Sequence, residues 1–213
     1  MNILTFPSGP FETNAYLLVI EAFKKAVIID PAPRSFDPIS SYLNHHHLQL
    51  DKILITHSHW DHIVDTSFFV HAYKAPVYVH ELDAMNLQTP RSDGLPCWIP
   101  YESVKDLHYV KDNDIIDICN TKWQVIETPG HTPGGVCYYN SEHHILFSGD
   151  TLFKGSIGNL SFPTARPHLM WKSLEKIAKL PSFTKVYPGH GLETTIGAES
   201  WLSKAREIFD LND

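Results

Sequence analysis

The sequence predicts an α/β or α+β layered domain, and two observations support this prediction. Short apolar runs, such as residues 25–29 and 123–126, have the length and composition of buried strands. Segments with helical spacing of apolar residues, such as residues 36–48, alternate with these runs. Repetition of strand and helix in this way is typical of layered folds. A chain of 213 residues can bury a full core, so we predict one domain over residues 1–213.

The composition is that of a globular protein. Hydrophobic residues make up 43% and charged residues 19% of the chain, which excludes disorder, and no apolar run approaches the roughly 20 residues that cross a bilayer. Residues 1–7 show no basic stretch followed by an apolar one, so we expect no secretory signal, and the three cysteines show no CxxC spacing. We therefore predict a cytoplasmic protein without a disulfide framework or a cysteine zinc site. The net charge of −7, with scattered basic residues, indicates no nucleic-acid partner, and we expect no membrane partner.

The N-terminal third shows a strand–turn–strand pattern from residue 3 to residue 29, with apolar runs at residues 14–20 and 25–29. Asp30 follows the second run, where it either caps a turn or supports metal ligands from behind. The helix predicted over residues 36–48 ends in three consecutive histidines. Because consecutive helical side chains diverge by about 100°, we interpret these histidines as a solvated helix end and not as a chelating site.

The central motif follows the apolar run 53–55, which predicts a buried strand. His57 and His59 are two residues apart, so an extended backbone would direct both imidazoles to one metal. Asp61 and His62 could reach a second metal nearby if the chain turns into a helix there. A polar loop that is merely rich in histidine is the alternative reading of this stretch. The motif reads Thr56-His57-Ser58-His59-Trp60-Asp61-His62.

The middle of the chain is predicted to contain a helix over residues 63–73, a strand over residues 76–79 and a series of short strands from residue 107 to residue 139. Residues 88–104 have no periodicity and are rich in proline and aromatic side chains. Long loops of this kind often act as lids, and we predict that this one covers a pocket.

Three further strand ends carry a histidine or an aspartate. His131 lies in a Pro-Gly-His turn after residues 123–126, Asp150 follows the strand predicted at residues 145–148, and His190 follows residues 185–187. Helices are predicted within residues 167–180, with Leu169 and Leu174 inward, and over residues 198–209. With the central motif, four strand ends therefore deliver ligand-type side chains to what could be one site.

These four motifs resemble those of the metallo-β-lactamase fold superfamily, and the glyoxalase II group with short, single-domain members matches best. They occur in the family's order, and the similarity runs from the first hairpin to the final helix. The resemblance implies a four-layer αββα sandwich with a binuclear metal site along one edge.

The resemblance also implies a role for each candidate ligand. His57, His59 and His131 would bind one metal, Asp61, His62 and His190 the second, and Asp150 would bridge both. We expect two divalent ions, with zinc as the default metal, although iron or manganese would also suit such a site. Asp61 would be catalytic as well, because it could orient the attacking hydroxide or accept its proton.

The implied activity is hydrolysis of small-molecule thioesters or esters, of the hydroxyacylglutathione class, through attack of a metal-bridging hydroxide on the carbonyl carbon. True β-lactamases of the family usually have a cysteine where Asp150 stands, which argues against antibiotic hydrolysis. Glyoxalase II enzymes carry a basic residue about where Asn159 stands, and they continue into a C-terminal helical region that helps bind glutathione. Both departures favour a broader thioesterase, with Lys154 and Arg166 as candidates for the missing charge.

Three alternatives share the fold or the ligands. A mononuclear iron persulfide dioxygenase would bind one iron and consume oxygen. An RNA-processing nuclease is disfavoured by the acidic net charge. A non-catalytic metal-binding scaffold would bind metal without turnover.

Overall fold

Two six-stranded sheets form the framework of the protein in the computed structural model, which describes residues 1–210. Residues 211–213, which the single-domain prediction includes, lie outside the described part. The first sheet has the order β1-β2-β3-β4-β5-β6 and contains β1 (Asn2–Ser8), β2 (Thr13–Ile20), β3 (Lys25–Ile29), β4 (Gln49–Leu54), β5 (Val77–His80) and β6 (Leu107–Val110). The second has the order β12-β11-β10-β9-β8-β7 and contains β7 (Ile115–Ile118), β8 (Thr121–Glu127), β9 (Val136–Asn140), β10 (Ile145–Gly149), β11 (Lys185–Pro188) and β12 (Thr194–Thr195).

Helices cover the outer face of each sheet. Among residues 1–210 there is no helix with the length and apolar content needed to cross a bilayer. The helices are α1 (Phe36–His45), α2 (Trp60–Ile63), α3 (Thr66–Tyr73), α4 (Ala84–Gln88), α5 (Pro167–Ile177) and α6 (Ala205–Phe209).

Three apolar cores lie between the layers. Alternate side chains of a strand point to opposite faces, so Leu17 of β2 packs in the same core as Ile39 of α1, whereas Leu18 packs between the sheets with Trp123. A third core joins the second sheet to Leu174 of α5. Because both faces of each sheet are covered, a central strand such as β2 is buried along its whole length. The predicted αββα sandwich is confirmed.

The strand directions bring several C-terminal strand ends to one edge of the sandwich. β3, β4 and β5 run parallel in the first sheet, and β10 and β11 run parallel in the second. β8 and β10 are both antiparallel to β9, so they share one direction. Two backbone hydrogen bonds join the sheets at this edge: the Val136 N–H donates to Thr56 O (2.9 Å) and the Asn14 N–H donates to Gly189 O (2.8 Å).

Two predicted helices differ from the structure. The helix predicted over residues 63–73 is interrupted between α2, which ends at Ile63, and α3. Asp65 lies at this break and is held by two hydrogen bonds: its backbone N–H donates to Pro31 O, and its carboxylate accepts from the N–H of Phe36, the first residue of α1, at 2.9 Å. The helix predicted over residues 198–209 is divided into a 3₁₀ segment, Ser200–Lys204, and the short helix α6. There the Glu199 side chain binds Thr194 Oγ1 and the Gly155 N–H, so tertiary contacts override helical propensity.

Three smaller differences from the predictions concern the first strand, β1, and the helices α1 and α5. β1 is an additional strand that pairs antiparallel with β2, and it was not predicted because its side chains are mostly exposed or half-buried. α1 ends at His45, three residues before the predicted end. In α5, Met170 is fully buried, whereas Leu169, predicted to face inward, is only half-buried.

Phe147 of β10 lies in the core between the sheets, where its ring packs against Tyr16 (5.2 Å between centroids) and Trp123 (5.5 Å). Phe147→Ala should lower the free energy of unfolding by about 3–5 kcal/mol, since it removes buried surface and leaves a cavity. The matched control Phe183→Ala, at a side chain that is 64% exposed, should change it by no more than about 0.5 kcal/mol. Urea unfolding followed by circular dichroism measures both; equal effects would contradict this account of the core.

Candidate metal centre

The central motif occupies the end of β4 and the start of α2. Strand β4 ends at Leu54, the chain bends at Thr56, and α2 begins at Trp60. His57 and His59 lie on the segment between β4 and α2, whereas Asp61 and His62 lie in α2. All four side chains are buried. The predicted turn from strand to helix therefore separates the two pairs of potential ligands.

The other three candidate ligands come from the second sheet. His131 lies in the turn after β8, Asp150 directly follows β10, and His190 lies two residues after β11. His131 and Asp150 are buried, and His190 is half-buried. All seven candidate residues therefore meet at the edge where the strands of both sheets end.

His57, His59 and His131 form a first group of ligand atoms. One ring nitrogen from each imidazole lies within 4.8 Å of those of the other two. Their Nε2 atoms are buried, and none has a hydrogen-bond partner within residues 1–210. Three unpartnered nitrogens that face one point are the ligand set expected for a divalent cation.

Asp61, His62 and His190 form a second group. Asp61 Oδ2 lies 3.6 Å from His62 Nε2 and 3.3 Å from His190 Nε2, and the two Nε2 atoms are 3.3 Å apart. Asp150 lies between the two groups. Its Oδ2 is 3.3 Å from His131 Nε2, and its Oδ1 is 3.4 Å from His62 Nε2. The donor set therefore fits two adjacent cations with one carboxylate between them.

The absence of a side chain at Gly189 allows Asp150 and His62 to lie close to the backbone at that residue. A Cβ at this position would collide with Asp150 Oδ1 and would stand 2.7 Å from His62 Cε1. Any larger residue would therefore displace both side chains.

Burial keeps the first group neutral. It lowers the pKa of His57 and His59 well below the usual value, and it lowers the pKa of His131 as well. The neutral imidazole is the form that binds a metal, so these three residues need not lose a proton near neutral pH.

The carboxylates have the opposite effect on the second group. Burial alone would lower the pKa of His62, but Asp61, Asp150 and Asp30 outweigh it and raise that pKa to about 10. For Asp61, burial alone would raise the pKa, but His62, His190 and Thr13 hold it well below its usual range. Asp61 is therefore ionised and His62 protonated when no cation is bound.

Contacts behind the rings orient the imidazoles. His131 Nδ1 donates to Asn159 O (2.8 Å) and His190 Nδ1 donates to Phe11 O (3.1 Å), since a carbonyl oxygen can only accept. His62 Nδ1 lies 2.9 Å from Asp30 Oδ2. Each contact directs Nε2 towards the centre, as is usual for metal-binding histidines. Asp30 thus contacts a candidate ligand from behind, as one of its two predicted roles requires, and the same carboxylate also accepts from the backbone N–H and hydroxyl of Thr56.

Asp83 is a residue of the site that the sequence did not reveal. Its carboxylate is buried and accepts from the Ser58 N–H (2.9 Å) and the Gly134 N–H (2.6 Å), so it joins the loop of His57 and His59 to the loop of His131. Burial raises its pKa. The only signal in the sequence is its position three residues after the end of β5.

A cavity of about 420 Å³ opens onto five of the seven side chains, namely His59, Asp61, His131, Asp150 and His190. Asp61, Asp150 and His190 lie on its floor, and Trp98 of the segment 88–104 forms part of its wall. This segment contains no strand or helix beyond Gln88, and Leu95, Pro96 and Trp98 line the cavity, so the predicted loop lies beside a pocket; its action as a lid stays a prediction.

Comparison with known families agrees with this geometry. The profile described as the metallo-beta-lactamase superfamily matches residues 8–190. The chain belongs to the metallo-beta-lactamase superfamily. The matched range contains all seven candidate ligands and the whole of β2 to β11, so the resemblance noted from the sequence motifs is confirmed.

Three proteins illustrate what this chain is similar to. A hydroxyacylglutathione hydrolase of Prochlorococcus marinus is 35% identical over 193 residues, which cover 87% of this chain and 68% of that relative. The crystal structure of the BLEG-1 B3 metallo-beta-lactamase matches with a TM-score of 0.85 and 35% identity over 93% of this chain and 96% of that one. TTHA1623 in a di-iron-bound form matches with a TM-score of 0.79 and 34% identity over 92% and 96%.

Asp83→Asn should raise the Kd for zinc by about 10- to 100-fold, as loss of outer contacts does at other metal sites. An amide offers one oxygen, so its NH₂ would face either the Ser58 or the Gly134 N–H and separate the two ligand loops. Competition with a coloured chelator measures the Kd. The control is Asp106→Asn, at an exposed carboxylate, which should leave the Kd unchanged; an unchanged Kd for Asp83→Asn would contradict the positioning role.

Metal affinity should depend on pH in two different ways. Binding to the second group must displace the proton of His62, whose pKa is raised to about 10. Burial alone would lower the pKa of His190, but Asp61 and Asp150 raise it as well, so this affinity should rise by at least about tenfold per pH unit between about pH 7 and pH 9. Binding to the neutral first group should change little over that range. Zinc titrations with chelator-buffered metal at several pH values separate the two; identical slopes for both ions would contradict the assignment.

Proposed function

We propose that the protein is a binuclear metal-dependent hydrolase of thioesters, of the glyoxalase II-like type. The observation that supports this most is the position of Asp150 between two groups of donors, since it gives two cations a shared ligand. The name of the Prochlorococcus marinus relative supports a thioester as the bond that is hydrolysed. The di-iron form of TTHA1623 supports a site for two metals.

His57, His59 and His131 would hold one cation, and Asp61, His62 and His190 the other, with Asp150 shared. When bound, two divalent cations supply activated water at neutral pH and stabilise negative charge on a carbonyl oxygen. Zinc is the default for this set of nitrogen and oxygen donors, and iron or manganese also fits. The substrate would be a small molecule that enters through the cavity above these residues.

Asp61 contributes more as a ligand and orienting group than as a base. Its pKa lies well below the usual range, because His62, His190 and the Thr13 hydroxyl outweigh the effect of burial. A carboxylate with so low a pKa accepts protons weakly. The Thr13 Oγ1 donates to Asp61 Oδ2 at 2.7 Å, which leaves Oδ1 free of that contact. Asp61 lines the cavity, so it can orient the nucleophile by a hydrogen bond.

Metal content and hydrolysis measured on the same preparation test the proposal. Protein with two zinc ions per chain should hydrolyse S-lactoylglutathione, simple acyl thioesters or both, and should act more slowly on a β-lactam of the kind implied by the name of BLEG-1. His131→Ala and His190→Ala should each bind about one ion less and lose at least about 10³-fold in kcat/KM. The matched control His45→Ala, at an exposed helix end, should retain both properties.

Three outcomes would contradict the proposal. One bound iron with oxygen consumption on a persulfide would indicate a dioxygenase. Two bound metals without hydrolysis of any thioester, ester or lactone would indicate a metal-binding scaffold. A β-lactam hydrolysed faster than every thioester would assign the site to lactam hydrolysis.

A further inference from the structure

The cavity above the metal ligands has a wall of three aromatic rings. The ring of Trp60 lies 5.3 Å from that of Phe11 and 5.1 Å from that of Trp98, and Phe11 and Trp98 are 5.9 Å apart. Trp60 is buried in α2, next to Asp61, and anchors the cluster. Phe11 and Trp98 are 51% and 61% exposed, so these two rings have apolar surface left to cover. Exposed aromatic surface beside a candidate catalytic centre is typical of a binding site.

A second apolar wall faces the first across the ligands. The Phe162 ring lies 5.1 Å from the ring of His59 and 5.6 Å from that of His131, and the Phe153 ring lies 5.9 Å from that of His190. All of these residues line the same cavity. A molecule whose reacting bond is above Asp150 would therefore extend between two sets of aromatic side chains.

Apart from the metal ions of the proposed centre, the side chains that line the cavity offer no cation to a charged group. Every titratable side chain that lines it belongs to the seven candidate ligands, and none of the lining residues within 1–210 is lysine or arginine. Lys154 and Arg166, the candidates for a charge that would bind glutathione, do not line the cavity; Arg166 Nη1 instead donates to Thr164 O and Ala165 O. The Asn159 side chain accepts from the Ser161 N–H.

A carboxylate that lies against the aromatic walls, away from the metal ions, would lose water without gaining a side-chain partner, which costs far more than burying an apolar group there. An apolar group would instead cover the exposed faces of Phe11 and Trp98. The volume of about 420 Å³ is at the lower end of the range for small-molecule sites. It suits a compact substrate with a single ring or short chain beside the reacting bond.

We infer that the substrate is an uncharged thioester with an aromatic or aliphatic acyl group, recognised by the Phe11–Trp60–Trp98 wall, and that glutathione conjugates are poor substrates. This inference rests on the proposed function, and it adds the substrate class. Trp98 determines the specificity, because it lines the cavity and contributes the most exposed ring of the three.

The test compares three substrates with the full chain that carries two zinc ions: the phenylacetyl and acetyl thioesters of N-acetylcysteamine, and S-lactoylglutathione. The phenylacetyl thioester should have a kcat/KM at least about tenfold above the other two. Trp98→Ala should lower the ratio of phenylacetyl to acetyl kcat/KM by about tenfold, mainly through KM, and Trp98→Phe should restore most of it. The matched control Phe183→Ala, at an exposed ring outside the cavity, should leave both values unchanged.

Binding of a ketone analogue, in which CH₂ replaces the thioester sulfur, gives a readout that does not need turnover. Calorimetry should show tighter binding of the phenylacetyl ketone than of the acetyl ketone, and Trp98→Ala should remove most of that difference. Equal kcat/KM for the two acyl groups, or a preference for S-lactoylglutathione, would overturn the inference and leave the proposed function intact. Absence of all hydrolysis would overturn the proposed function, and the calorimetry alone would then decide the inference.

Discussion

Seven imidazole and carboxylate side chains lie together at one edge of the sandwich, and six of them are buried. Such a set is unfavourable by itself, because unpartnered polar atoms have lost their contacts with water. The Nε2 atoms of His57, His59 and His131 are of this kind within the described chain. Divalent cations would supply the partners that these donors lack, and the position of Asp150 allows two cations to share one anion. The candidate chemistry of the protein depends on this concentration of donors.

The fold fixes the positions of these donors through contacts with the side of each loop that faces away from the metal centre. Parallel strands direct their ends to the same edge, so residues far apart in sequence arrive together. Two buried carboxylates then connect the loops. Asp30 binds both Thr56 and the ring of His62, and Asp83 binds the backbone of Ser58 and of Gly134. Both act on the ligands without facing the cavity, so the geometry of the centre is set by the scaffold as well as by the ligands themselves.

Much of the site could be predicted from sequence because its signals are local. The spacing of His57 and His59 after an apolar run, and a histidine or aspartate after three other strands, identified all seven residues that the structure brings together. Asp83 could not be identified in this way, since it binds backbone N–H groups 25 and 51 residues away. The same limit applied to the last helix, where contacts of Glu199 favour 3₁₀ segments over the predicted α-helix. Loop 88–104 was predicted to cover a pocket, but the apolar nature of that pocket depends on Phe11, which is distant in sequence.

The superfamily and the fold are established, so the central claim that needs a test is the number and position of the metal ions. The most direct test is anomalous diffraction at the zinc edge from crystals of the metal-loaded protein. The account predicts two peaks per chain, one about 2.0–2.1 Å from the Nε2 atoms of His57, His59 and His131, the other at bonding distance from Asp61, His62 and His190, with Asp150 reaching both. A single peak, or peaks away from these side chains, would contradict it.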